Sequence, residues 1–320
     1  MPETISLLKP VLTLQEIMTT DYPEVAWRIS ELLHVGEVTL LIGRQKEGKS
    51  TLALQLAIDV ATGEGFLNQY DTLQGRVLYI DYENRPRQLK GRALDLLGGR
   101  DASNVLVKSF DFLTERDVGL DGKAAEQLKT LVYKHQPSLL ILDPLRFAAP
   151  KGDSKEENWA VTVVDQVSSL REVCPTMSVI IVHHLKKADS ESRLRLRDDP
   201  RTWIEKAYGS QALIAHVENI WGLEADSDGY TFATVPRSQE QLILRLEKKP
   251  ESQRFLLSEN RLEVLTPKQR EYWLKLPTEF SWSMATDECQ IPNSTLDRMI
   301  RLARGAGLVA SEKGHYRKIM

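Results

Sequence analysis

The feature that most constrains this chain is the run Gly43-Arg44-Gln45-Lys46-Glu47-Gly48-Lys49-Ser50, followed by Thr51. It lies between a short aliphatic stretch, EVTLLI, and a long apolar stretch, TLALQLAIDVAT. The spacing G-x4-G-K-S, after a strand and before a helix, is that of a loop that wraps phosphates. Its glycines let backbone N–H groups turn inward, and the helix N-terminus adds partial positive charge. Lys49 would reach the β- and γ-phosphates, and the Ser50 hydroxyl would ligate a metal ion. ATP with Mg2+ is the ligand this arrangement predicts. The crown of the loop is unusually charged, with Arg44, Lys46 and Glu47. Glu47 is expected to face solvent, because a carboxylate aimed at a triphosphate is repelled.

Strand-like and helix-like runs then alternate. RVLYID, NVLVKSF, LLILD and MSVIIVHH are apolar, and helical patterns separate them. Gly63 and the pair Gly98-Gly99 supply C-terminal caps. Continuous apolar strands joined by helices predict an α/β fold with a mainly parallel sheet covered on both faces. After about residue 219 the pattern changes to NIWGL, YTFATV, LILRLEKK and RFLLS, a β-hairpin extension of the sheet. The chain length of 320 residues suits one large domain and one small one. The reading is an N-terminal segment over 1–35, the nucleotide-binding domain over 36–264 and a separate unit over 265–320.

Composition excludes other classes. With 42% hydrophobic and 27% charged residues, the chain is neither disordered nor low in complexity. No apolar run reaches the roughly 18 residues of a membrane span, and MPETISLLKP does not read as a signal peptide, so a cytoplasmic location is expected. Cys174 and Cys289 have no metal-like spacing. The net charge of −3 conceals a basic C-terminus, where residues 291–320 carry six basic and two acidic side chains.

A magnesium shell needs a second acid, and Asp143, ending LLILD, fits that place. Hydrolysis needs a group to activate water. Glu83 is the candidate, with Asp81 as its neighbour and competitor; the longer Glu83 side chain lies beyond the strand end and has the better reach.

GRQKEGKST, VLYIDYEN, LLILDPLR, IIVHHLKK and AYGSQAL occur in that order over much of the chain. This ordered set resembles the RecA-like ATPases and, within them, the group of the plasmid hexameric replicative helicase RepA. The resemblance covers roughly residues 12 to 250. It implies that Glu83 activates water, that Asp143 completes the metal shell, and that His184 (or His183) senses the γ-phosphate. It also implies a homo-oligomer, a hexameric ring, with active sites between subunits. Lys248 and Lys249 would then act on a neighbour's γ-phosphate, with Arg245 and Arg254 as competitors. One departure is Tyr208-Gly209-Ser210, where the group commonly has an arginine before the Gly-Ser turn.

Ring ATPases of this kind bind single strands through central loops. The stretch from Leu185 to Lys206 reads as lacking a core of its own. It carries Lys186, Lys187, Arg193, Arg195, Arg197, Arg201 and Lys206, with Trp203 available for base stacking. The segment AAPKGDSKEENW could form a companion loop. The C-terminal unit reads as a winged helix-turn-helix. A Ser294–Asp297 capping box would start its second helix, with Leu296, Met299, Ile300 and Ala303 inward and Arg298 and Arg301 outward. Lys313, Arg317 and Lys318 would lie on the wing, so duplex DNA is a second expected partner. Winged helices also dock proteins.

These readings converge on a DNA-dependent, ATP-hydrolysing motor, a helicase of a plasmid or other mobile element. A recombinase-like or recombination-accessory ATPase, or a nucleotide-switched DNA- or protein-binding regulator, are the alternatives. Glu83 bears on the last, since a switch can dispense with a water-activating group and a motor cannot.

Overall fold

The short apolar runs form strands, and the longer runs between them form helices. The computed structural model describes residues 11–22, 24–110, 117–149, 156–185, 194–208, 211–227, 229–258, 261–312 and 314–319. The order is α1 (Leu14–Thr19), β1 (Trp27–Ile29), β2 (Leu33–His34), β3 (Val38–Gly43), α2 (Lys49–Thr62), β4 (Val77–Asp81), α3 (Pro86–Leu97), β5 (Val105–Ser109) and α4 (Gly122–His135). Then come β6 (Leu139–Asp143), α5 (Leu145–Ala148), α6 (Glu156–Val173), β7 (Ser178–His184), α7 (Pro200–Tyr208) and α8 (Gln211–Ile214). The antiparallel part is β8 (Asn219–Asp226), β9 (Gly229–Thr234), β10 (Leu242–Lys248) and β11 (Phe255–Leu257). The C-terminal unit holds α9 (Pro267–Lys275), β12 (Glu279–Ser281), a π-helical turn (Met284–Glu288), α10 (Asn293–Gly305), β13 (Val309–Glu312) and β14 (His315–Lys318).

Among the described residues the main sheet has nine strands in the order β11-β10-β9-β8-β3-β7-β6-β4-β5. Strands β5, β4, β6, β7, β3 and β8 run parallel, while β9 reverses and β10 reverses again. Strand β10 therefore points the same way as β3, and its C-terminal end lies on the same sheet edge. The alternation of side chains along each strand sorts the core in two. Leu41, Tyr79, Ile141 and Ile180 pack with α2 on one face, and Leu40, Leu78, Leu140 and Val179 pack with α4 and α6 on the other. Both faces being dry, polar groups collect at strand ends. This is a RecA-like α/β sheet with a β-meander extension.

Residues 27–34 of the N-terminal segment pack on the nucleotide-binding body: Ile29, Leu32 and Leu33 are buried in the same core as α2. Helix α1, by contrast, buries none of its side chains. Among the described residues no helix is long and apolar enough to cross a membrane.

The C-terminal unit pairs its three strands in the order β12-β14-β13. Leu296, Met299, Ile300 and Ala303 are buried as the periodicity requires. The start of α10 differs from expectation, because its N-cap is Pro292 and no side chain caps it. Asn293 Oδ1 instead accepts from Trp282 Nε1 at 2.8 Å, and Asp297 pairs with Arg301 at 3.2 Å. Leu265, Trp273 and Ile300 belong to the same buried cluster as Ile243 of β10, so the unit packs on the nucleotide-binding body.

The stretch before α8 also corrects the sequence reading. Residues 200–208 form a helix, and Leu196, Trp203 and Ile204 are core residues. Trp203, at 3% exposure, has no face to offer a base. The basic side chains around it masked an amphipathic helix whose apolar positions are few but large. Asp199 starts this helix by accepting from the Thr202 backbone N–H and hydroxyl. Trp203→Ala is expected to cost about 3–5 kcal/mol of stability, the usual range for emptying a large aromatic site. Chemical denaturation checks this; a base-stacking residue would instead lose DNA affinity at unchanged stability.

Candidate active site

The site grows from the end of β3. Gly43 has no room for a side chain, since a Cβ there would lie 2.4 Å from the Leu223 carbonyl of β8. The loop then passes through left-handed backbone at Lys46 (φ 65°) and Gly48 (φ 94°), and this curls its N–H groups into a concave anion nest. Glycine permits the second of these positions without strain. Helix α2 begins at Lys49 with no side-chain cap, so its first N–H groups remain available to a ligand.

Lys49 is buried, and its ammonium donates to the Arg44 carbonyl across the loop. Burial pushes its amine down to about 8, opposed by Glu47, Asp143 and Glu83. Glu47 is half-buried rather than extended into solvent. Its carboxylate turns back and accepts the Arg44 N–H at 2.7 Å, and burial raises its pKa. The loop fastens its own crown with that side chain.

Asp143 ends β6, beside Asp81 at the end of β4. Its Oδ1 accepts from the Ser50 hydroxyl at 3.1 Å and its Oδ2 from the Tyr79 hydroxyl at 2.6 Å. Burial pushes this carboxyl up to about 6, the Tyr79 and Ser50 hydrogen bonds pulling the other way. A carboxylate this buried and facing a hydroxyl is suited to a cation, and the Ser50–Asp143 contact juxtaposes the two oxygen donors that a magnesium ion would share. The residues therefore fit Mg2+, held by Ser50 and Asp143, with nucleotide phosphates supplying further oxygens. Tyr79 was not found by sequence reasoning. The available signal was a tyrosine in an otherwise aliphatic buried strand, where its hydroxyl must have a partner.

Asp81 and Glu83 separate into two roles. Asp81 is buried and closes the turn after β4, accepting from the backbone N–H groups of Glu83 (3.0 Å) and Asn84 (2.8 Å) and from the Asn84 amide. The Glu83 side chain takes no part in that turn. Its carboxylate faces His184 Nε2 at 3.9 Å, and that neighbour holds it below the usual carboxylate range, against partial burial. His184 pairs with Gly43 in the β7–β3 register, one step from the loop. Its Nδ1 is buried with no hydrogen-bond partner among the described residues. His183, next along the strand, projects to the other face.

The remaining sites divide. Lys248, at the end of β10, donates to Gln253 Oε1 at 2.7 Å and lies 5.8 Å from the Phe255 ring centre. Burial, then Arg92, lowers its amine. Lys249 pairs with Glu247 at 2.6 Å. Their competitors are structural: Arg245 is buried against Asp226 (2.7 Å), and Arg254 against Asp59 (2.5 Å). Arg195 lies 3.5 Å from Glu224, Arg197 is half-buried, and Arg201 is exposed. Lys186, Lys187, Arg193, Lys313, the Gly209-Ser210 turn and residues 150–155 lie outside the described residues, as does the Lys206 side chain.

On helix α10, Arg301 is exposed as expected, whereas Arg298 is half-buried. Arg298 pairs with Asp198 of the nucleotide-binding body at 2.8 Å, and Arg304 lies 3.6 Å from Glu240. Arg301, paired with Asp297, lines a cleft of about 780 Å3 between the body and the C-terminal unit, together with Arg201, Trp27 and Trp282. Arg317 lies on β14, and Lys318 donates to the Trp273 carbonyl at 2.6 Å.

A left-handed loop leading into α2, a buried lysine, and a serine joined to a strand-end aspartate define a P-loop nucleoside-triphosphate site on a RecA-like sheet. A family model described as an AAA domain matches residues 2–190, more than half of the chain, and the chain belongs to that family of P-loop ATPases. No curated protein sequence matches it significantly. Among solved structures, the chain is similar to a KaiC-like protein from the hyperthermophilic archaeon Pyrococcus horikoshii OT3. The identity is 14% and the TM-score 0.47, over 72% of this chain and 93% of that one.

Two substitutions test the site. Lys49→Ala should abolish turnover, because the γ-phosphate loses its main cation. Glu83→Gln should bind nucleotide as the parent does but lose about 10²–10⁴-fold in hydrolysis, the usual worth of a positioned base. Nucleotide titration alongside phosphate release separates the two effects.

Proposed function

We propose that this ATPase is a ring-forming, DNA-dependent motor, a helicase resembling the RepA group of plasmids or other mobile elements. The observation that carries this reading is the gathering of the loop, Glu83, Asp143, His184 and Lys248 at one sheet edge. That edge is where parallel α/β sheets bind ligands, and its make-up suits hydrolysis coupled to movement rather than mere occupancy. Lys49 offsets charge on the γ-phosphate. Ser50 and Asp143 would hold Mg2+, which would neutralise charge on phosphate oxygens. Glu83, ionised and half-exposed, is placed to accept the proton of an attacking water. His184, one side-chain length away, senses whether the γ-phosphate is present, and the basic segment that follows it in the chain carries the signal to nucleic acid.

Lys248 and Lys249 are proposed to act on a neighbour's γ-phosphate in an assembled ring. A neighbour's phosphate must first draw them from Gln253 and Glu247. A lysine serves there as a point charge, and the corresponding arginine fingers are worth about 10³–10⁵ in rate. Single-stranded DNA is proposed to contact Lys186, Lys187, Arg193, Arg195, Arg197 and Arg201 through its phosphates.

The C-terminal unit, with its helix–strand–π-turn–helix–strand–strand order, is proposed to be a winged helix. Its duplex contacts then fall to Arg301 on α10 and to Lys313 and Arg317 on the wing, since Arg298 is engaged with Asp198. The packing of α10 on the body favours a second reading, in which this unit docks protein rather than DNA.

Unwinding of a forked duplex is the direct test, measured beside native mass spectrometry of the assembly. ATP-dependent strand separation by a closed ring, lost in Lys49→Ala, is expected. ATPase activity indifferent to DNA, with no unwinding, would overturn the motor reading. Mixing Lys49→Ala subunits with Lys248→Ala/Lys249→Ala subunits should restore part of the lost activity, because one interface then has an intact loop and an intact finger. No recovery at any ratio, with mixed assemblies verified, would count against the trans lysines.

A further inference from the structure

We propose that Phe255 is a positioning residue for the phosphate-binding loop, holding Gly48 in place from behind and joining the loop to the hairpin that carries Lys248. This inference rests on the loop binding ATP.

Strand β11 is the outermost strand of the sheet, four places from β3. A flat sheet would leave it far from the nucleotide, but the antiparallel extension curls over α2. The ring of Phe255, fully buried, fills the space beside Gly48, and its Cζ lies 2.7 Å from where a Gly48 Cβ would stand. Tyr230 meets the same ring edge-on at a centre separation of 5.0 Å. Glycine at position 48 thus serves two needs, the left-handed turn and the close approach of this ring.

The ring is held by its own backbone. Gln55, buried one and a half turns into α2, receives the Phe255 N–H on Oε1 at 2.7 Å and donates Nε2 to the Phe255 carbonyl at 2.9 Å. That two-way pair stands in for the strand neighbour that an edge strand lacks. One residue earlier, Arg254 reaches Asp59 on the next turn of α2 at 2.5 Å and the Leu96 carbonyl of α3 at 3.1 Å. The helix whose N-terminus faces the phosphates is therefore fastened to β11 at Gln55 and at Asp59. Lys248 pairs with Phe255 in the β10–β11 register and lies over its ring. Loop, helix and hairpin tip form one block, so displacement of the tip is passed to the residues that ring the phosphates.

The test uses substitutions that separate contact with the loop from general packing. Phe255→Tyr adds an oxygen at Cζ, the atom nearest Gly48, and keeps the rest of the ring. Gln55→Leu keeps the bulk of the side chain and removes both backbone hydrogen bonds. Leu257→Ala, on the same strand but away from Gly48, is the packing control. Affinity for a fluorescent ATP analogue and the KM and kcat of hydrolysis are measured well below each variant's melting temperature. Phe255→Tyr and Gln55→Leu should weaken nucleotide binding about tenfold or more and raise KM, because small misplacements of a binding group are costly. Phe255→Leu, which withdraws the contacting atom without a clash, should bind better than Phe255→Tyr. Leu257→Ala should lower the melting temperature and leave affinity unchanged. Parental affinity in both Phe255→Tyr and Gln55→Leu would overturn the proposal. Failure of the parent itself to bind the analogue, or equal binding by Lys49→Ala, would instead overturn the ATP reading and this proposal with it.

Discussion

Burial of the sheet on both faces is the constraint from which the rest follows. Strands such as Val77–Asp81 and Leu139–Asp143 are buried along their whole length, so a polar side chain within them must find a partner or lie at an end. Asp81 and Asp143 both end their strands, His184 ends β7, and Gly43 ends β3. Because these strands are parallel, the four ends coincide at one edge. The same dryness gives the groups their character. It lowers the affinity of Lys49 for its proton and raises that of Asp143, so each gains from the opposite charge that a metal-bound triphosphate would provide.

Two carboxylates two residues apart show how backbone geometry assigns roles. Asp81 reaches back to the N–H groups of its own turn, which removes it from the solvent-facing side of the site. Glu83 has one more methylene and stands past the strand end, where its carboxylate faces His184. The first shapes the turn, and the side chain of the second is left clear of it. The same economy appears in the phosphate loop, where Glu47 fastens the Arg44 N–H rather than facing water.

The C-terminal unit is integrated with the ATPase body rather than tethered to it. Gly305 of α10 lies close to the Ile243 backbone of β10, and the apolar side of the helix joins the main core. Its arginines meet carboxylates on the body at Asp198 and Glu240. Exposed pairs of this kind contribute only about 0–1 kcal/mol each, so the shared apolar surface is the main attachment.

Much of this was legible in residue order. The phosphate loop, the strand-end acids, the alternation of strands and helices and the antiparallel extension follow from local pattern, because hydrophobic periodicity and glycine placement act over a few residues. The C-terminal helix showed its buried face for the same reason. What the sequence could not show depends on contacts between residues far apart in the chain. Trp203 among arginines reads as a stacking platform until α7 folds it into the core. Arg298 reads as outward until the body supplies Asp198. Arg245 and Arg254 compete for a catalytic role until Asp226 and Asp59 engage them. The approach of Phe255 to Gly48, across more than 200 residues, follows from the curl of the sheet around α2, and only the folded chain decides it.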